Sequence, residues 1–101
     1  MKVNILEENG GMTAQLQGRL DTAAAQEVSP DFNTLQENAD KNIVIDCTDL
    51  EYISSSGLRL FIALRKSSAA KGGSIVIRKM NDSIRNVFTM TGFIRLFTFE
   101  D

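Results

Sequence analysis

Three consecutive serines, Ser54-Ser55-Ser56, stand before Gly57 and the apolar run that opens at Leu58. Hydroxyls in such a turn can do three kinds of chemistry. They can cap the free N–H groups of a following helix. They can attack a substrate if a base activates them. They can also accept a phosphoryl group, which adds about −1.5 to −2 charges and three acceptor oxygens. The second option needs a base, and the 101-residue chain contains no histidine. That removes the Ser-His-Asp and Cys-His arrangements, together with the side chain best suited to proton transfer near neutrality. A serine hydrolase therefore lacks its partner group, and no enzyme activity is expected.

The remaining reactive groups are few. Cys47 is the single cysteine, so no internal disulfide and no multi-cysteine metal site can form. It reads as a small hydrophobe at a buried strand end, in a reducing cytoplasmic compartment. Asp21 and Asp46 should both approach the carboxyl end of a sheet near Ser55, either shaping an acidic surface or serving as a helix cap and a loop anchor. A paired-carboxylate hydrolase would need a cleft and a raised pKa, and neither is indicated. Lys71-Gly72-Gly73-Ser74 lacks the spacing of a phosphate loop. No metal and no cofactor are expected.

These residues must be held by a scaffold. With 43% hydrophobic and 24% charged residues, the composition is that of a soluble globular chain, and residues 1–101 fit one domain with one core. The net charge is −2 and no basic stripe exists, so nucleic acid is not an expected partner. The apolar run Leu58–Leu64 is interrupted by Arg59 and is too short for direct membrane insertion. Nor does the N-terminus read as a secretory signal.

Alternation at Val3 and Ile5, the turn Asn9-Gly10-Gly11, and a second alternating run at Met12, Ala14 and Leu16 predict an antiparallel hairpin. Thr22 to Asp40 is mostly helical, capped by Asp21 or Thr22, with Pro30 either kinking it or dividing it in two. Ile43-Val44-Ile45 and Ile75-Val76-Ile77 suit parallel strands buried on both faces. The first run ends at Cys47, and a loop follows. A helix from Leu58 to about Lys71 stops at Gly72-Gly73, another begins after Asn81-Asp82-Ser83, and Ile94–Phe99 is the last strand. The predicted order is β-β-α-β-α-β-α-β. That is an α/β fold with a mixed, mostly parallel sheet of about five strands, an N-terminal antiparallel hairpin and crossover helices. Sites in such sheets lie at the carboxyl ends of the strands, which points to the serine turn.

Four motifs then fall in a recognisable order: Gly18-Arg19-Leu20-Asp21, Ile45-Asp46, Tyr52-Ile53-Ser54-Ser55-Ser56-Gly57-Leu58-Arg59, and Met90-Thr91-Gly92-Phe93. Over nearly its whole length the chain resembles a STAS domain of the stand-alone anti-sigma-factor antagonist type. The resemblance implies a STAS-like fold and a protein that acts by partner switching. Unphosphorylated, it would bind an anti-sigma factor serine kinase and free the sigma factor. Phosphorylation at the position matching Ser55 would dissolve the complex, and a serine phosphatase would reset it. The expected partner-binding residues are Asp21, Ser54, Ser55, Ser56, Gly57, Leu58 and Arg59. Leu58 and Leu60 either anchor a partner beside the serine or pack into the core, with at least one of them expected in the core, and Arg59 either meets a partner or the phosphate or is a solvated surface arginine. Where the family often has Asp before the phosphorylated serine, this chain has Ser54. The resemblance also allows a second role, a constitutive accessory subunit of a lipid-transport ATPase complex. Family members usually continue into a C-terminal helix, whereas this chain stops at Asp101. Apolar side chains of Ile94–Phe99 are therefore expected to lie under-covered, favouring a homodimer or a partner contact.

Overall fold

The computed structural model describes residues 1–100, and its first turn follows from two of them. Asn9 and Gly10 take positive φ angles of 52° and 76°, the pair of left-handed conformations that a type I′ hairpin requires. They join β1 (Lys2–Glu8) to β2 (Gly11–Leu20). The antiparallel register runs without a break from Glu8↔Gly11 to Lys2↔Gln17. From β2 the chain passes through α1 (Thr22–Glu37) to β3 (Asn42–Ile53), then through α2 (Ser55–Lys71) to β4 (Ser74–Arg78). It continues through α3 (Asp82–Thr91) and a 3-10 turn (Phe93–Leu96) to β5 (Thr98–Glu100). The strands lie in the order β1-β2-β3-β4-β5, and every pair after the first is parallel. The expected element order and antiparallel edge strand are both present.

Right-handed crossovers that always step in the same direction put all three helices on one face of the sheet. On that face Ile43, Ile45, Ile75 and Ile77 are buried. Their neighbours Val44 and Val76 point the other way and are only half-buried. The reading of these strands as buried on both faces is therefore corrected, because no helix among the described residues covers the second face. The helix layer is tied together by aromatic rings. Phe61 of α2 lies 5.7 Å from Phe32 of α1 and 5.8 Å from Phe88 of α3, centroid to centroid. Phe97 and Phe99 meet Phe88 edge-on at 5.7 and 5.8 Å.

Three further expectations are narrowed or changed. Pro30 does not divide α1; the helix is continuous from Thr22 to Glu37. Pro30 is exposed, so water can satisfy the carbonyl that its missing N–H leaves free. β3 does not give way to a loop at Cys47 but runs on to Ile53. Two register shifts against β2, between Gln15 and Gln17 and between Gly18 and Arg19, take up extra residues on β3, and such bulges break the period that sequence patterns rely on. The last strand is three residues, Thr98–Glu100, because Phe93–Leu96 forms the 3-10 turn. Gly92, at φ 80°, ends α3 and redirects the chain. Phe97 and Phe99 are consequently half-buried against Phe88. Within the segment Ile94–Phe99, expected to lie under-covered, Leu96 is exposed, and Met90 adds to the exposed apolar surface nearby.

Candidate functional site at the carboxyl end of β2 and β3

β2 and β3 end together. Leu20 pairs with Ile53 in register, and the Ser54 N–H donates to the Leu20 carbonyl at 2.9 Å. The next residue on each chain segment is a cap. The Asp21 carboxylate accepts from the Ala24 N–H at 2.8 Å and starts α1. The Ser54 hydroxyl accepts from the Gly57 N–H at 3.1 Å and starts α2. Two helix N-termini thus lie side by side at the same end of the sheet, one capped by a charge and one by a neutral hydroxyl. Each carries the partial positive charge of its helix dipole. No acidic residue occupies the first turn of α2.

The three serines are not equivalent. Ser54 is half-buried and its oxygen is committed to the cap. Ser56 is half-buried, whereas Ser55 is exposed and is the first residue of the helix. Gly57 explains why the turn can sit so close to the strands. A Cβ on it would fall 2.6 Å from Leu20 Cγ and 3.1 Å from Ile53 Cγ1. Gly57→Ala should therefore push the start of α2 away from both strands, at a cost of about 1–3 kcal/mol, measured by urea denaturation. A loss below about 0.5 kcal/mol would show that Leu20 yields without strain.

Of the remaining residues singled out, Arg59 is exposed and stands four positions after Ser55, on the same side of the helix. Leu58 is 3% exposed. Its expected place in a partner-binding surface is corrected: its side chain belongs to the core and only positions the turn. Gly57 is also buried and acts in the same indirect way. Leu60 is half-buried. Tyr52 and Arg19, which the motifs contained without a role, add an exposed feature at this end. Arg19 lies over the Tyr52 ring, 4.4 Å from its centroid, in cation–π contact. Their pairing across β2 and β3 is produced by the second register shift, which no local pattern reveals.

Asp21 is where it was expected; Asp46 is not. Asp46 lies in β3 seven positions before Ile53, roughly 20 Å away at about 3.3 Å per residue. Its carboxylate accepts from the Thr48 hydroxyl at 2.6 Å and the Thr48 N–H at 3.0 Å. The Arg78 guanidinium is 3.6 Å away on β4. Burial by itself would raise the Asp46 pKa, but the two Thr48 bonds and Arg78 outweigh it and hold the carboxyl below its usual 3.8. A carboxyl depressed in the folded state stabilises above its unfolded pKa, and that stability is lost as pH falls through the folded pKa. Acid titration should show part of the wild-type stability disappearing below about pH 4. The Asp46→Asn variant should have a shallower dependence in that window; an unchanged slope would contradict the assignment. Next to it Cys47 is buried, and burial with the Asp46 charge pushes its thiol up to about 12, leaving it protonated and inert.

A sequence profile of the STAS domain matches residues 2–101. The chain belongs to the STAS domain family. This STAS domain is 29% identical over 97 residues to BtrV of Bordetella bronchiseptica, described as a candidate anti-sigma factor antagonist, covering 96% of this chain and 84% of that protein. It is 22% identical over 102 residues to the anti-sigma F factor antagonist of Paenibacillus polymyxa, covering 100% of this chain and 87% of that one. Its fold matches the anti-sigma factor antagonist SpoIIAA in unphosphorylated form, with a TM-score of 0.79 at 18% identity over 97% of this chain and 87% of SpoIIAA. The phosphorylated form from Bacillus matches with a TM-score of 0.74 at 19% identity over 97% of this chain and 90% of that one. Among the described residues of this STAS domain, no helix is long and apolar enough to cross a membrane.

Proposed function

We propose that this STAS domain is an anti-sigma factor antagonist that switches partners at Ser55. Unmodified, it binds an anti-sigma serine kinase through the surface around Ser55, with Asp21, the Ser54–Ser56 turn and Arg59 at the contact, and so frees a sigma factor. Phosphorylation at Ser55 ends the complex, and a serine phosphatase restores it. The observation that carries this reading is the inequality of the serines: Ser55 is the exposed hydroxyl of the three, while Ser54 is engaged as the cap. The names of the relatives, which include antagonists of anti-sigma factors, support it.

The physics of the switch is local. A phosphate on the first residue of a helix meets unpaired N–H groups and the positive end of the dipole, so the fold tolerates it. Across a closed interface the same dianion is desolvated and unpaired, which costs several kcal/mol. Each 1.4 kcal/mol is a factor of about ten in affinity, so the complex is lost without a change of shape.

The test is reconstitution. Adding the unmodified chain to a complex of its cognate anti-sigma kinase and sigma factor should release sigma and restore transcription by the polymerase. Prior incubation with kinase and ATP should abolish that release. No release by the unmodified chain would refute the proposal. Affinity capture from native cells that retrieves a transporter ATPase instead of a kinase would point to the accessory-subunit role.

A further inference from the structure

The outer edge of β1 is the long open edge of this sheet. β1 is first in the strand order and pairs only with β2, over seven residues without a bulge and without proline. The opposite edge, β5, has three residues. Flat, unblunted edges template pairing with another strand.

The hairpin says which backbone groups face outward. A two-residue turn closes on a hydrogen-bonded pair, here Glu8↔Gly11. Antiparallel ladders alternate bonded and non-bonded pairs. Leu6, Asn4 and Lys2 therefore bond to β2, and Val3, Ile5 and Glu7 turn their N–H and C=O groups to the open side. We propose that two copies of this chain pair β1 to β1, antiparallel, about a two-fold axis at Ile5. Ile5 then faces Ile5 of the second copy, and Val3 faces Glu7, so all three outward residues meet outward residues. A shift of one residue pairs outward with inward groups. A shift of two leaves an outward residue opposite Met1 or the turn residue Asn9.

Among the registers the backbone allows, charge favours the same one. It sets the Lys2 ammonium opposite the Glu8 carboxylate of the second copy, and this happens twice by symmetry. Both residues are exposed and both lie on the sheet face that carries no helices. The partner is a second copy because the edge is complementary to itself. β2 lies between β1 and β3 in the sheet, so the pairing leaves the Ser55 end open.

Sedimentation velocity across a concentration series tests this. The wild type should show a reversible dimer, and amide exchange should slow with concentration at Val3, Ile5 and Glu7 but not at Asn4 or Leu6. Ile5→Pro removes the central outward N–H without touching the β2 ladder, and should abolish the dimer. Lys2→Glu should weaken it roughly tenfold by placing like charges opposite each other, and adding Glu8→Lys should restore it. If Ile5→Pro fails to fold by circular dichroism, the charge-reversal pair decides alone. A wild type that stays monomeric at millimolar concentration overturns the proposal. So does a dimer that survives Ile5→Pro, one whose affinity Lys2→Glu leaves unchanged, or one that the double reversal fails to rescue.

Discussion

Phe61→Ala should remove about 3–5 kcal/mol of stability, the range for truncating a buried aromatic. For a domain that holds roughly 5–15 kcal/mol in total, this leaves little. Phe61 is fully buried and is the ring through which α1 and α3 reach each other, with Phe32 on one side and Phe88 on the other. Its loss opens a void between three helices, and none of them can move inward alone because the sheet fixes their ends. At this size each kcal/mol moves the melting temperature by about 4–8 °C, so a thermal melt should shift by upward of roughly 12 °C. Phe61→Leu should cost much less. A loss under about 1 kcal/mol for Phe61→Ala would mean that the helix layer collapses freely and the aromatic row is not what fixes α2.

The largest effect at the site is expected from Ser55→Ala. Incubated with its cognate kinase and ATP, the wild type should carry phosphate on Ser55, and Ser55→Ala should carry none. Ser54→Ala should still be phosphorylated. It should also be less stable by about 1 kcal/mol, because its hydroxyl holds the Gly57 N–H and lost caps cost that much. Ser56→Ala should behave as wild type. The modified wild type should melt no earlier than the unmodified one, since the first turn of α2 has no acidic residue to repel the phosphate and an anion there is worth about 0.3–1 kcal/mol. Mass spectrometry of the intact and digested chain reads all four outcomes. Phosphate on Ser54 or Ser56 in the wild type would contradict the assignment.

Much of the scaffold was legible because it rests on local signals. Asn9-Gly10 fixes a hairpin, Asp21 and Asn81 cap helices, and Gly72 and Gly92 end them, each through a backbone conformation or a side-chain bond within a few residues. The serine turn was legible for the same reason: Ser54 capping needs only Gly57, three positions on. What escaped depends on partners distant in the chain. The second half of β3 looks like a loop because Thr48, Asp49 and Glu51 are polar and exposed, and its strand character comes from β2 across two register shifts. Asp46 was misplaced by the same error, since a strand that continues to Ile53 carries the site away from it. Leu58 shows a subtler limit. Its helical position allows core or surface, and only the close approach permitted by Gly57 decides for the core. The end of the chain misled because apolar residues in a row suggest a strand, whereas Phe93–Leu96 is a tight turn that brings Phe97 and Phe99 onto Phe88.

The most direct test of partner switching is titration calorimetry of one preparation in two states. The same anti-sigma kinase, without ATP, would be titrated with the dephosphorylated chain and with the chain carrying phosphate at Ser55, while amide spectra of both report the fold. Binding of the phosphorylated chain should be at least a hundredfold weaker (about 3 kcal/mol), with spectral changes confined to the start of α2 and the ends of β2 and β3. Equal affinity for the two states, or a loss of affinity that comes with rearrangement throughout the sheet, would contradict partner switching at Ser55.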